Sequence, residues 1–147
     1  MSFLKSIDIS GSGLTAQRLM MDVISSNIAN VNTTRTSEGG PYRRQAPVFA
    51  AGKPKFTIPG MGGDGSIEAS GQGVKVIGVV KDQTPPRLVY NPQHPDANQQ
   101  GYVAMPDINI VTEMVDMIAA SRAYEANVTA INSAKSMAMK ALEIGRG

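Results

Sequence analysis

Proline placement divides this chain into three parts. All nine prolines lie between Pro41 and Pro106, and eleven of the fifteen glycines lie within residues 34–106. A proline inside a helix costs about 3 kcal/mol, because it lacks an amide hydrogen and its ring strikes the preceding turn. The two proline-free flanks can therefore form long helices, while the middle must be built from strands, turns and loops. The expected fold class is α+β. Residues 1–33 and 107–147 supply long N- and C-terminal helices paired as a coiled-coil-like layer, and residues 34–106 form a small β-rich domain with an extended loop at 34–46.

In the first flank, from about Phe3 to Val31, apolar residues recur at Ile7, Leu14, Met21, Ile24, Ile28 and Val31, with Gly11 and Arg18 filling the other steps. Steps of three or four residues mark one helical face. Only four charges occur there, Lys5, Asp8, Arg18 and Asp22. Gly11 and Gly13 each cost a helix up to about 1 kcal/mol relative to alanine, so this helix is weak alone and needs a partner. In the last flank, from about Asp107 to Ile144, the spacing predicts a seam at Ile110, Met114, Met117, Ser121, Tyr124, Val128, Ile131, Lys135, Ala138 and Leu142. Alternating steps of four and three, sustained over four heptads, are a coiled-coil period. Acidic Asp107, Glu113, Asp116 and Glu125 gather toward its start and basic Lys135, Lys140 and Arg146 toward its end, an order that complements the helix dipole. Pro106-Asp107 reads as the start and Gly145 as the stop.

At 1.5 Å per residue these helices are about 42 Å and about 55 Å long, against a usual globular helix of about 11–12 residues. Pairing them with each other buries one seam on each. The last helix carries further apolar residues beside its seam: Val111, Val115, Ile118, Ala119, Ala120, Ala126, Ala130, Ala134 and Ala141. This stripe is wider than a two-stranded contact uses, so the expectation is burial against other protein subunits. The candidate packing residues are Leu14, Met21, Ile24, Asn27, Ile28, Asn30 and Val31 on the first helix, and Met114, Met117, Tyr124, Asn127, Val128, Ile131 and Leu142 on the last.

In the middle, Val74 to Val80 is the best strand, with Arg87 to Tyr90 expected to pair with it. Phe56 to Ile58 and Pro47 to Ala50 are weaker strand candidates, and Gly60 to Gly65 reads as a turn or loop.

The composition excludes several classes of chemistry. The net charge is +2, with 14 basic and 12 acidic residues, and the only basic pair is Arg43-Arg44, so no basic stripe points to nucleic acid. No cysteine is present, which removes disulfides, thiolate metal ligands and thiol catalysis. The single histidine, His94, is flanked by proline two positions before and one after, which marks a rigid loop position; it matches no metal-binding motif. Gly60 to Gly65 lacks the Lys-Ser/Thr that a phosphate loop requires. No catalytic residue, cofactor or metal is expected. No apolar run reaches the roughly 18 residues of a membrane helix, and the first residues, interrupted by Asp8, do not read as a cleaved signal peptide.

The segment Ser25-Ser26-Asn27-Ile28-Ala29-Asn30-Val31-Asn32-Thr33 resembles the N-terminal signature of the bacterial flagellar axial proteins, the rod and hook family. Ser121-Arg122-Ala123-Tyr124-Glu125-Ala126-Asn127 resembles their C-terminal counterpart. Thr34 to Arg44, His94-Pro95-Asp96-Ala97 and the ending Lys140 to Arg146 are similar to the proximal rod proteins within that family. The resemblance implies a structural, non-enzymatic subunit of the basal-body rod, located in the periplasm and exported unfolded by the flagellar type III apparatus. The terminal helices would line the export channel and the middle domain would face outward. The implied partners are the other rod proteins FlgB, FlgF and FlgG, the rod–ring adaptor FliE and the export apparatus, with no nucleic acid and no direct membrane insertion. The alternatives are another flagellar axial rod subunit, or a soluble coiled-coil adaptor or export chaperone.

Overall fold

The computed structural model describes residues 3–52 and 73–145. Helix α1 spans Phe3–Ala29 and helix α2 spans Ile110–Ile144. Between them lie strands β1 (Gln45–Ala51), β2 (Val74–Lys81), β3 (Arg87–Tyr90) and β4 (Tyr102–Met105). The α+β class is thus observed, with long terminal helices that pack on each other and a small antiparallel strand region. Phe56 to Ile58 and Gly60 to Gly65 lie outside the described residues.

The helix ends follow their local chemistry. α2 begins at Ile110 rather than at Asp107, because the Asn109 side chain accepts hydrogen bonds from the amides of Val111 (3.0 Å) and Thr112 (3.4 Å). That side chain satisfies donors left free in the first turn. α1 ends on its own motif. Asn30 donates its side-chain amide to the Ser26 carbonyl at 2.9 Å and accepts from the Thr33 hydroxyl at 3.1 Å.

The strands form two ribbons, β1 with β2 and β3 with β4. The expected pairing of Arg87–Tyr90 with β2 is therefore incorrect. The connection between them, Asp82 to Pro86, contains Pro85-Pro86. Two successive prolines fix an extended path and hold the preceding residue out of the helical region, so this connection does not close a hairpin. β3 instead reaches β4 in antiparallel register, Arg87 opposite Met105 through Tyr90 opposite Tyr102. Its closing loop is pinned by Asn98, whose side-chain oxygen accepts from the amides of Gln100 and Tyr102, both at 2.9 Å. Gly101 takes φ +82°, and a Cβ there would stand 2.8 Å from the Tyr90 ring.

Chain contacts divide the protein into two compact units. One holds described residues 19–48 and 78–121, the other 3–18, 49–52, 73–77 and 122–145. In the first, Val23, Ile24, Val103, Ile108 and Ala120 are buried, with Asn27 and Glu113 among them. In the second, the buried apolar residues are Ala16 and Ala134. Ser12 there accepts from the amide of Val74 at 3.0 Å, and Gly13 lies against Asn127.

The buried and half-buried residues of α2 include Glu113, Met117, Ala120, Tyr124, Asn127, Ile131, Ala134 and Ala138, a heptad repeat. Met117, Ser121, Tyr124, Val128, Ile131 and Ala138 of the expected seam are half-buried, but Ile110, Met114, Lys135 and Leu142 are exposed, and the fully buried positions are Glu113, Ala120 and Ala134. On α1 the fully buried positions are Ala16, Val23, Ile24 and Asn27, so only Ile24 of the expected stripe is fully enclosed and Arg18 is exposed. Each unit holds its own contact between the helices, Gly13 with Asn127 in one and Asn27 with Glu113 in the other.

A Cβ on Gly13 would meet the Asn127 amide at 3.1 Å, whereas one on Gly11 meets nothing within 4 Å. Gly11→Ala should therefore gain up to about 1 kcal/mol from helix propensity alone, and Gly13→Val should lose about 1–3 kcal/mol by overpacking. Helix formation followed by circular dichroism against added osmolyte should shift to lower osmolyte for the first and higher for the second. Asn127→Ala should partly rescue Gly13→Val.

Candidate functional site

Asn27 lies near the end of α1 and is fully buried. Its side chain makes every hydrogen bond open to an amide. Nδ2 donates to the carbonyl of Gln45 at 2.8 Å and to Glu113 Oε2 at 3.0 Å. Oδ1 accepts from the amide of Gln45 at 2.9 Å and from the Tyr42 hydroxyl at 3.2 Å. The paired bonds to Gln45 imitate a strand partner and hold the first residue of β1 against the helix. That fixes the preceding residue, Arg44, whose Nε donates to Glu113 Oε1 at 2.6 Å. Glu113 is 1% exposed and Arg44 is 32% exposed. Asp116, one turn along α2, lies 3.8 Å from the Arg44 guanidinium.

A buried carboxylate is costly unless paired and hydrogen-bonded. Here it has a guanidinium on one oxygen and a carboxamide on the other, and no buried side-chain polar atom among the described residues lacks a partner. Tyr42 joins the network through Asn27, and Ser26 lies 3.3 Å from its hydroxyl. It reaches that place because residues 33–42 double back, closed by the amide of Tyr42 to the carbonyl of Thr33 at 3.0 Å and turned through Gly39 and Gly40 at positive φ.

The chemistry available here is cohesive rather than reactive. His94 accepts the amide hydrogen of Asp96 on Nδ1 at 3.1 Å, and Asp96 accepts from the Thr34 hydroxyl at 2.8 Å, so the histidine organises its own loop. Among the described residues no group of three or more His, Asp or Glu is placed to hold a metal ion. Among the described residues no helix is long and apolar enough to cross a membrane. Lys81 bonds both carboxylate oxygens of Glu38 at 2.6 Å, which holds the Glu38 carboxyl below its ordinary pKa. The Thr84 hydroxyl and amide do the same for Asp82.

Of the candidate packing residues, Ile24 and Asn27 are fully enclosed within the chain. Leu14, Met21, Ile28, Asn30, Val31, Met117, Tyr124, Asn127, Val128 and Ile131 are half-buried, and Met114 and Leu142 are exposed. With Met114 on the outer side of α2 stand Ile110, Val111, Val115 and Ile118, all exposed; toward the other end Met137, Met139, Leu142 and Ile144 are exposed as well. No large apolar side chain of α1 is exposed among those described. Among the described residues, the exposed large apolar side chains of the two helices all belong to α2.

Tyr42, Arg44, Gln45 and Glu113 are absent from the sequence-derived set. Glu113 sits in the heptad phase that the buried Ala120 and Ala134 define, one residue before Met114 of the expected seam. Arg44 belongs to the one basic pair, and nothing local to it marks a buried partner.

Removing one member of the network should have unequal effects. Arg44→Ala leaves the enclosed Glu113 without its cation and should cost about 3 kcal/mol. Glu113→Gln leaves Arg44 with solvent and Asp116 and should cost about 1–2 kcal/mol. Urea unfolding of both variants checks this order.

Comparison with known proteins places these features in a family. Residues 7–35 match the pattern described as flagella basal body rod protein, and residues 99–144 match the C-terminal pattern described as flagellar basal body rod FlgEFG protein. The chain is 52% identical to the flagellar basal-body rod protein FlgC of Borreliella burgdorferi, over all of both chains. It is 45% identical to that of Bacillus subtilis over 99% of this chain and 100% of the relative. It is 40% identical to that of Salmonella typhimurium over 99% and 100% respectively.

Proposed function

We infer, for a chain that belongs to the family of flagellar basal-body rod proteins FlgC, that it polymerises into the proximal rod, the drive shaft that transmits torque and encloses the export channel. It is a structural component of the flagellar basal-body rod and assembles with other rod components. The observation that carries the finer reading is the uncovered face of α2, where Val111 is 69% and Val115 60% exposed. An apolar helical stripe of this kind is buried in a working protein, and neighbouring subunits of a rod supply the cover.

Residues 1–33 and 107–147 are then the inner assembly layer and 34–106 the outer domain. The packing set named above, from Leu14 to Leu142, contributes to this layer, with Met114 and Leu142 turned to neighbours. FlgB, FlgF and FlgG are the proposed rod neighbours, FliE the adaptor and the flagellar type III apparatus the export route. Many helices packed side by side resist twist, which a torque-bearing shaft requires. Export through a narrow channel requires a chain that unfolds readily, and helix ends held chiefly by alanine meet that need.

Two outcomes test this reading. In dilute free chain, amide exchange should be slow around Val23, Ile24, Asn27 and Glu113 and fast over residues 3–18 and 122–145, with the fast regions protected in assembled basal bodies. Strong protection at both helix ends of the free chain counts against assembly-coupled ordering. Tyr124→Asp, which puts a charge into a half-buried seam position, should abolish rod incorporation and motility while His94→Ala leaves both intact; normal incorporation of the tyrosine variant contradicts the packing role.

A further inference from the structure

We propose that the trio of enclosed Asn27 and Glu113 with half-buried Arg44 sets the register in which α1 and α2 pair. The rest of the α2 seam is poorly suited to this task. Beside Glu113, the half-buried line Met117, Tyr124, Ile131 and Ala138 repeats at seven residues, so a slip of one heptad sets one apolar side chain in the place of another. Much of the apolar burial is therefore retained.

What a slip does not retain is the trio. In the observed register Asn27 faces Glu113. Moving α2 by seven residues one way sets Ala120 opposite Asn27, and the amide loses its carboxylate. Moving it the other way sets Glu113 opposite Met20, and the carboxylate meets a thioether. Either change leaves a polar group enclosed without its partner, which is far more costly than exchanging one methyl for another. A polar residue in an otherwise apolar seam specifies register in this way.

Arg44 makes the choice sharper. Asn27 holds Gln45 by two hydrogen bonds, at 2.8 and 2.9 Å, so the position of Arg44 is set from α1 before α2 docks. Only the observed register then brings Glu113 to both the amide and the guanidinium at once. The inference concerns pairing within one chain and stands apart from which rod neighbours surround it.

The test uses the full chain, which has no cysteine of its own. Cysteines replacing Asp22 and Thr112, both exposed and both in the unit that holds the trio, carry spin labels for a distance measurement. The parent should give one narrow distance. The triple variant Asn27→Leu, Arg44→Met, Glu113→Leu removes the trio without leaving an unpaired charge. It should remain helical by circular dichroism while its distances divide, with a second population displaced by up to about 10 Å, the rise of one heptad. A single unshifted distance in that variant overturns the proposal. If the triple variant loses its helices, the double variant Asn27→Leu, Glu113→Leu, in which Arg44 keeps Asp116, is read in the same way. Loss of helix in both also overturns the proposal, since the trio would then supply the folding energy itself.

Discussion

Glu113 is a carboxylate with almost no contact with water, and the surrounding unit is organised around keeping it satisfied. It takes one hydrogen bond from Asn27 on α1 and another from Arg44, the residue that leads into β1. Three distant pieces of the chain meet at these bonds: the end of the first helix, the turn that precedes the first strand and the start of the last helix. The serine, asparagine and threonine of the Ser25 to Thr33 motif each have a place here. Ser26 meets Tyr42, Asn27 holds Gln45 and Glu113, and Asn30 with Thr33 terminates the helix. A motif that looks like a polar interruption of an apolar face is the part of α1 that ties it to β1 and to the start of α2.

Cohesion and availability are divided between the two helices. α1 spends its apolar residues inside the chain. α2 turns alanines and polar residues inward and keeps Val111, Met114, Val115 and Ile118 outward. Small inward residues allow close helix approach, as at Gly13 and Asn127, and leave the larger apolar side chains for contacts the single chain does not make. This division suits a subunit whose stability is completed by neighbours, and it gives a physical meaning to the rod family membership.

The long helices were legible because proline is absent from both flanks and the three-four spacing is sustained. The phase of the seam was legible only in part, because apolarity is a poor guide where the fully buried positions are Glu113, Ala120 and Ala134 while Met114 and Leu142 are exposed. β1 and β2 were recognisable as strands, but their pairing with each other depends on the rigid Pro85-Pro86 connection and on contacts remote in sequence. β4, Tyr102 to Met105, was not expected from the sequence and pairs with β3 in antiparallel register. Arg44 was the least legible of the central residues, since its role is defined by a carboxylate 69 positions away.

Cryo-electron microscopy of isolated basal bodies, at a resolution that shows side chains, tests the central division most directly. The expected result is that Val111, Met114, Val115 and Ile118 are covered by neighbouring subunits while Asn27, Arg44 and Glu113 remain joined within each chain. A map in which that face of α2 looks onto solvent, or in which Glu113 pairs with a neighbouring chain instead of its own Arg44, would contradict it.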